Sequence, residues 1–135
     1  MIKYKIENDL SVEEFKRILI NSTLGERRPV AESDRLQQML QHGNLIITAR
    51  DNGKLIGVSR SLTDFAFCTY LSDLAVDKAY QHQGIGKELI RQTKLATPKA
   101  KLILLSAPAA INYYPKIGMQ KHEYCFYIDD VNEIK

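Results

Sequence analysis

The length, composition and charge of the chain exclude several classes of protein. With 135 residues, of which 44% are hydrophobic, it has the size and apolar content of one folded domain, so we expect a single domain over residues 1–135. Its 19 basic and 16 acidic residues leave a net charge of +3 and form no basic run, so no nucleic-acid partner is expected. No apolar stretch has the roughly 20 residues that span a bilayer, and the N-terminus lacks the apolar core of a signal peptide. We therefore expect a cytoplasmic monomer or homodimer with no membrane partner.

The first half of the chain predicts two helices between strands. After a strand at residues 2–7, the Ser-x-x-Glu pattern of residues 11–14 predicts a capping box at the start of a helix. Apolar side chains at helical spacing predict a second helix that ends at Gly43. Residues 45–50 and 55–61 are typical of strands, and the Asn-Gly pair between them predicts a hairpin turn.

The second half of the chain alternates strands and helices. Residues 70–76 predict a strand, and an amphipathic helix follows from residue 85. The continuous apolar run at residues 102–105 predicts a strand covered on both faces, residues 107–114 a short helix, and residues 121–128 a last strand. Antiparallel strands followed by a βαβ crossover predict an α/β fold, called α+β by some conventions, whose mixed, mostly antiparallel central sheet carries helices on both faces.

The two cysteines, Cys68 and Cys125, lie in apolar or aromatic segments. Neither belongs to a Cys-x-x-Cys pair or to a Cys/His spacing typical of metal ligands. We expect two buried, reduced thiols and no metal site.

A loop with two glycines, at the predicted start of a helix, is the clearest candidate binding site. It consists of Gln81, His82, Gln83, Gly84, Ile85, Gly86 and Lys87. Unpaired backbone N–H groups and the helix dipole favour an anion at such a place, and residues without a Cβ allow a phosphate close to the backbone. For two glycines in isolation, a tight strand-to-helix turn is the favoured explanation. The loop matches neither the GxxxxGK[ST] nor the GxGxxG pattern, which disfavours nucleoside triphosphates and dinucleotides.

Two sequence motifs, one containing the glycine loop and one nearer the C-terminus, indicate what kind of site the loop belongs to. The residues Leu74-Ala75-Val76 precede Gln81-x-x-Gly84-x-Gly86, and a later segment reads Asn112-Tyr113-Tyr114-Pro115-Lys116-Ile117-Gly118-Met119. In both segments the chain resembles the GNAT superfamily of N-acetyltransferases. It departs from the family pattern at Ala107, where an Asn is common, and at Met119, where a Phe is usual.

The resemblance implies acetyl-CoA as cosubstrate and direct transfer of its acetyl group to an amine acceptor. By this resemblance, the backbone at Leu74, Ala75 and Val76 holds the pantetheine arm and polarises the acetyl carbonyl, while residues 81–87 bind the pyrophosphate. Asn112 and Tyr114 belong to the same cofactor site. Tyr114 corresponds to the family tyrosine that protonates the departing thiolate. Because Pro115 disfavours helical angles in the residue before it, we expect the helix to end or kink at Tyr114.

The remaining assignments are open to alternatives. Asp73, on the strand beside the acetyl site, is the candidate general base, although a structural ion pair explains it equally well. By the same resemblance, residues 24–30 lie at the acceptor entrance, where Arg27 and Arg28 are candidates for binding an acidic acceptor. A module that binds acetyl-CoA without turnover, and an interaction domain with an unrelated glycine turn, remain alternative functions.

Overall fold

The computed structural model describes all residues, 1–135, and they form two compact units, Met1–Leu105 and Ser106–Lys135. The first unit contains β1 (Ile2–Ile6), α1 (Val12–Asn21), α2 (Ser33–His42), β2 (Leu45–Asp51), β3 (Lys54–Thr63), β4 (Cys68–Val76), α3 (Ile85–Ala96) and β5 (Lys101–Ile103). Short 3₁₀ turns lie at Leu24–Arg27 and Lys78–Tyr80. The sheet has the order β1-β2-β3-β4-β5, in which only β4 and β5 are parallel. The predicted mixed, mostly antiparallel sheet is therefore confirmed.

Two apolar cores cover the two faces of this sheet. One core packs α1 and α2 against residues such as Ile46 of β2, and the other packs α3 against their neighbours Leu45 and Ile47. Successive side chains of a strand point to opposite faces, so β2 serves both cores and needs an apolar residue at nearly every position. Helices on both faces of the sheet were predicted, and the two cores confirm them.

The predicted hairpin between β2 and β3 is present. Asp51 and Lys54 pair across it, and Asn52 and Gly53 have φ angles of 50° and 90°. Two successive positive φ angles match the right-handed twist of the flanking strands, which is why Asn-Gly is favoured in a two-residue loop.

The first turn of α1 takes part in an ion-pair cluster. The Ser11 hydroxyl accepts a hydrogen bond from the Glu14 N–H at 3.2 Å, which is half of the predicted capping box. The Glu14 carboxylate instead binds Arg50 of β2 at 2.7 Å. The same guanidinium binds Glu7 at 2.8 Å, and Glu7 also accepts a hydrogen bond from Thr48. This cluster connects the residue after β1 to β2 and α1 through one half-buried arginine.

The second unit contains little regular structure. It has 3₁₀ turns at Pro108–Ala110 and Val131–Glu133 and one short helix, α4 (Tyr113–Lys116). The expected helix over residues 107–114 is thus wrong in its bounds, and α4 continues past Tyr114 instead of ending there. Pro115 is the third residue of α4, within the first turn, where its missing N–H has no intrahelical acceptor to bind.

The last strand, predicted at residues 121–128, is not formed. A β-prone sequence becomes a strand only when a second strand satisfies its backbone, and no strand pairs with this segment. The expectation of buried thiols is also wrong, because Cys68 lies at the exposed start of β4 and Cys125 lies in this unpaired segment. No helix of the chain combines the length and the apolar composition needed to cross a bilayer.

The ion-pair cluster predicts how stability depends on pH. For Glu7, burial raises the pKa, but hydrogen bonds from Arg50 and Thr48 outweigh burial and lower the pKa below its ordinary value of 4.5. For Glu14, the hydrogen bond from Arg50 lowers the pKa. A lowered folded-state pKa contributes stability that is complete above the unfolded value and is lost as the pH falls through the folded value. The free energy of unfolding, measured in urea from about pH 7 to about pH 3, should therefore fall below pH ~4.5.

A pair of matched variants tests how much the Arg50 ion-pair cluster contributes to stability. Glu14→Gln should reduce the free energy of unfolding at neutral pH by about 1–2 kcal/mol and flatten the acid dependence. Glu13→Gln makes the same change one residue earlier on α1, at an exposed position outside the cluster, and should have a much smaller effect. Equal losses in the two variants would contradict a role for the cluster.

Candidate functional site

The glycine loop forms a sharp turn from β4 into α3. His82 and Gly84 have φ angles of 65° and 82°, so two left-handed residues reverse the chain before the helix. The first hydrogen bond of α3 runs from the Glu88 N–H to the Gly84 carbonyl at 3.0 Å. The amides of Ile85, Gly86 and Lys87 precede that bond and have no carbonyl within the helix to bind.

The space over this loop is open. A Cβ placed on Gly84 would meet no atom within 4 Å, and the Lys87 side chain is exposed at the first turn of α3. Free amides, an open approach and the positive end of a 12-residue helix together form a place for an anionic group. The predicted turn from a strand into a helix is thus present at residues 81–87, with the N-terminus of α3 open at Gly84.

Close packing sets the position of α3. A Cβ on Gly57 of β3 would lie 3.2 Å from side-chain atoms of both Ile85 and Leu89. The helix therefore rests directly on the backbone of β3 at this glycine. Two further bonds hold the chain just before the loop: the Tyr80 hydroxyl donates to Asp51 at 2.8 Å, and the Gln81 side chain donates to the Val76 carbonyl at 3.1 Å.

Beyond its first residues, β4 has a partner on one side only. It pairs with β5 over residues 68–70 and with β3 along its whole length. The Asp77 N–H binds the Ile56 carbonyl of β3 at 2.9 Å, so by strand alternation the amides of Leu74 and Val76 face away from β3. No strand lies along that edge, which leaves the N–H groups of Leu74 and Val76 and the carbonyl of Leu74 without a strand partner, while the Val76 carbonyl accepts the Gln81 side chain. Ala75 points its side chain into the core under α1 and α2.

A bulge and a buried ion-pair cluster lie immediately before this free edge. The pairing of β3 with β4 shifts between Arg60 and Ser61, which leaves Ser72 as an extra residue on β4. Asp73 is fully buried, and its two carboxylate oxygens accept hydrogen bonds from Arg28 and Arg60. The two arginines also bind Ser72: Arg28 donates to its carbonyl at 2.7 Å and Arg60 to its hydroxyl at 3.1 Å.

The ion-pair cluster around Asp73 connects three segments of the chain to β4. Arg60 also donates to the Met39 carbonyl in the last turn of α2 at 3.0 Å, and its side chain crosses Gly43, where a Cβ would lie 2.9 Å from the arginine Cγ. Arg28 anchors the segment that follows the 3₁₀ turn Leu24–Arg27. Arg28 is thus occupied within the protein, whereas Arg27 remains exposed. Arg60 and Ser72 were not among the candidate residues predicted from the sequence, although an arginine within the apolar strand β3 signals a buried acidic partner.

The second unit contains Asn112 and Tyr114, at the N-cap and in the first turn of α4. The Met119 N–H binds the Tyr114 carbonyl at 3.1 Å, and the Gly118 N–H binds the Pro115 carbonyl at 3.1 Å. With a φ of 99° at Gly118, this is a Schellman motif, and it explains the glycine of the second sequence motif.

The Tyr114 hydroxyl is suited to hold a proton. Tyr114 is half-buried, and its ring meets that of Tyr113 edge to face with 5.2 Å between centroids. Burial raises the pKa of Tyr114 above its ordinary value, and Tyr113 raises it further. The phenol therefore stays protonated, and able to donate, throughout the neutral range.

Comparison with known proteins places the chain in a family. The sequence profile of the acetyltransferase (GNAT) domain family matches residues 9–132. The histone acetyltransferase TAP1 of Glycine max is 33% identical over 70 residues, which make up 50% of this chain and 30% of the soybean protein. The GCN5-related N-acetyltransferase 2, chloroplastic, of Arabidopsis thaliana is 31% identical over 70 residues, or 27% of its length. The match thus spans less than a third of these relatives.

Solved structures show the same fold. A GNAT-family acetyltransferase from Streptococcus pneumoniae superimposes with a TM-score of 0.80 at 22% identity, covering 98% of this chain and 99% of that one. An aminoglycoside acetyltransferase from a soil metagenome reaches a TM-score of 0.65 at 24% identity, covering 96% and 95% of the two chains. The family profile and the shared architecture confirm the resemblance seen in the two motifs: the chain belongs to the GNAT family of acetyltransferases, and its class is that of the acyltransferases.

Proposed function

We propose that the protein is an N-acetyltransferase that moves the acetyl group of acetyl-CoA directly to an amine acceptor. The observation that carries this proposal is the adjacency, within one unit, of the anion-binding loop at residues 81–87 and the unpaired edge of β4 at Leu74 and Val76. A phosphate group with an extended amide-containing arm is the kind of ligand that uses both features.

The residues of the first unit fit such a cosubstrate. The open space over Gly84 and the amides of residues 85–87 would bind the pyrophosphate, with Gln81, His82, Gln83 and Lys87 around it. Backbone groups of Leu74 and Val76, on either side of Ala75, would hold the pantetheine arm and polarise the acetyl carbonyl. Acetyl-CoA, when bound, supplies an activated thioester, so the protein needs to orient the reactants and requires no nucleophile of its own.

Tyr114 is the proposed general acid, and Asn112 remains the proposed cofactor contact beside it. The amine nitrogen forms a bond to the acetyl carbon, the carbon–sulfur bond breaks, and the Tyr114 O–H protonates the sulfur. The raised pKa of Tyr114 supports this role because it keeps the proton on the phenol until the thiolate develops.

For Asp73 we propose a positioning role in place of the expected role as base. A base needs an unoccupied lone pair that can reach the amine, and both oxygens of Asp73 are engaged by guanidinium groups in a buried cluster. Through Arg28 and Arg60, the carboxylate holds the Ser72 bulge and with it the direction of the free edge. The proton of the amine would then pass to water, and the Tyr114 phenolate would regain a proton from water.

The acceptor is proposed only as an amine. The names of two similar proteins refer to a histone and to aminoglycosides. A test of the acceptor should therefore include both a protein amino group and a small polyamine. A panel of amines, read out by release of free thiol, separates them. Thiol release with no member of the panel, together with tight binding of acetyl-CoA, would favour the alternative of a binding module without turnover. A cytoplasmic location is likewise a proposal, to be checked by cell fractionation.

Two glycines with similar positive φ angles test the anion site. Gly84 and Gly53 have φ angles of 82° and 90°, and a Cβ on either meets nothing within 4 Å. Gly84→Ala and Gly53→Ala should therefore lose a similar free energy of unfolding, about 1–2 kcal/mol. Only Gly84→Ala should weaken acetyl-CoA binding, by about tenfold or more, in a calorimetric titration. Equal affinities in the two variants would remove the loop from the site.

Replacement of Tyr114 tests the acid. Tyr114→Phe keeps the ring and removes the proton, so kcat should fall by about 10²-fold or more while acetyl-CoA affinity changes little. Tyr113→Phe, the same change one residue away on α4, is the control and should retain most of the activity. A Tyr114→Phe enzyme with normal single-turnover rates would exclude this tyrosine as the acid.

The base role and the positioning role of Asp73 predict different effects of the Arg28→Met substitution on activity. Both substitutions, at Asp73 and at Arg28, alter the same buried cluster. Removing the carboxylate with Asp73→Asn should cost about 3–5 kcal/mol of stability, because two arginines lose a buried partner. Glu32→Gln, which breaks an exposed pair with Arg35, should cost at most ~1 kcal/mol.

A positioning role predicts that Arg28→Met lowers kcat as Asp73→Asn does, since either change releases the bulge. A base role predicts that Arg28→Met stays active and that only Asp73→Asn removes the acidic limb of the pH–rate profile.

A further inference from the structure

The buried cluster around Asp73 carries more positive than negative charge. Arg28 and Arg60 both pair with Asp73, and neither arginine pairs with a second carboxylate. The acidic residue nearest to Arg28 in the sequence, Glu26, is exposed and pairs with neither of them. Two guanidinium groups against one carboxylate leave an excess of one positive charge beside the bulge of β4.

The excess charge faces solvent through Arg28. The side chain of Asp73 is fully buried and that of Arg60 is 7% exposed, whereas that of Arg28 is 22% exposed. A charge that is partly removed from water and lacks a counter-ion is unfavourable, so an anion at this place is stabilised. The only member of the cluster that an external anion can reach is Arg28.

Arg28 also retains hydrogen-bond donors for such an anion. Its Nε binds Asp73, one Nη donates to the Arg27 carbonyl at 2.9 Å, and the other Nη donates to the Ser72 carbonyl at 2.7 Å. Each terminal nitrogen of a guanidinium carries two N–H groups, so one N–H on each Nη has no partner within the chain. The neighbouring Arg27 is exposed and adds a second positive charge.

These donors lie next to the free edge of β4, on the side of the sheet opposite α3. The segment of Arg28 packs with α1 and α2 through Val30, whereas the glycine loop leads into α3 on the other face. Ser72, which accepts a hydrogen bond from Arg28, precedes Leu74 by two residues, or about 7 Å along an extended strand. A molecule that approaches the Leu74 N–H from this side therefore meets Arg28 and leaves the glycine loop free.

We propose that the acceptor is an acidic amine, in which a carboxylate a few bonds from the amino group binds Arg28 and Arg27. This rests on the proposed function, because it assumes that acetyl transfer takes place at the free edge of β4. A carboxylate offers two oxygens to the two unused N–H groups of Arg28, and charge-assisted bonds of this kind are among the strongest hydrogen bonds in proteins. Its charge also balances the excess of the cluster. A free acidic amino acid and a peptide that begins with an acidic residue share this chemistry.

Matched acceptors that differ in one charge test the proposal. Glutamate and glutamine have the same shape, and a short peptide that begins with either one forms the second pair, so the two pairs distinguish the two sources. The value of kcat/KM, measured by release of free thiol, should be about tenfold or more higher for the acidic member of at least one pair.

The outcomes separate this inference from the proposed function. Thiol release with neutral amines, and no preference for the carboxylate in either pair, would overturn the acidic acceptor and leave acetyl transfer intact. Thiol release with none of the acceptors would contradict the proposed function, and the inference would fall with it.

Two substitutions test whether the arginines cause the preference. Arg28→Met leaves Arg60 paired with Asp73 and removes the excess charge, so the two acceptors of a pair should become about equal in kcat/KM. Any loss of activity through the Ser72 bulge affects both acceptors and cancels in their ratio. Arg27→Met changes an exposed side chain, so its fold should persist even where that of Arg28→Met does not, and it should lower the ratio by about threefold.

Arg91→Met is the matched control. Arg91 is an exposed arginine of α3, on the opposite face of the sheet, and this variant should keep the wild-type ratio. A preference that survives both Arg28→Met and Arg27→Met would overturn the proposal, because the carboxylate would then be recognised elsewhere. Equal reductions in Arg27→Met and Arg91→Met would overturn it as well, since the effect would come from net charge alone.

Discussion

Strand β4 is paired on both sides over residues 68–70 and on one side from the bulge onward, and the candidate site depends on that change. A strand buried in a sheet has no backbone group to offer a ligand, whereas a strand with one free edge offers a row of them. The buried carboxylate of Asp73 lies where the change occurs. It holds Arg28 and Arg60, and both arginines bind the bulged Ser72. An ion pair with little net stabilising value can thus still determine geometry.

The position of the glycine loop follows from packing on the opposite face of the sheet. Gly57 has no side chain, so Ile85 and Leu89 lie against the backbone of β3, and the N-terminus of α3 comes to the end of β4. The hairpin at Asn52 and Gly53 places Asp51 where it accepts the Tyr80 hydroxyl. The loop that binds an anion in our proposal is therefore supported by residues outside the family motif.

Local sequence signals predicted the elements with strong periodicity or turn chemistry. The amphipathic helices, the Asn-Gly hairpin and the glycine turn into α3 all lie where expected. Several of the failures have a common cause, because they concern features that depend on a partner distant in sequence. Residues 121–128 have strand residue types but no pairing strand, and Glu14 binds Arg50 instead of completing its capping box. From the sequence, Asp73 is equally suited to catalysis and to ion pairing. In the structure, Arg28 and Arg60 lie beside it and occupy both of its carboxylate oxygens.

The sequence by itself determined the fold class, the glycine turn at residues 81–87 and the resemblance to acetyltransferases. These properties depend on the spacing of residues within short segments. Glycines, capping residues and the periodicity of apolar residues act there through local backbone geometry. Only the tertiary structure decided that Arg28 and Arg60 converge on Asp73 and that β4 keeps a free edge. Both features require contact between segments that are tens of residues apart in sequence. Hydrophobic burial and strand pairing bring such segments together, and no local sequence pattern encodes these contacts.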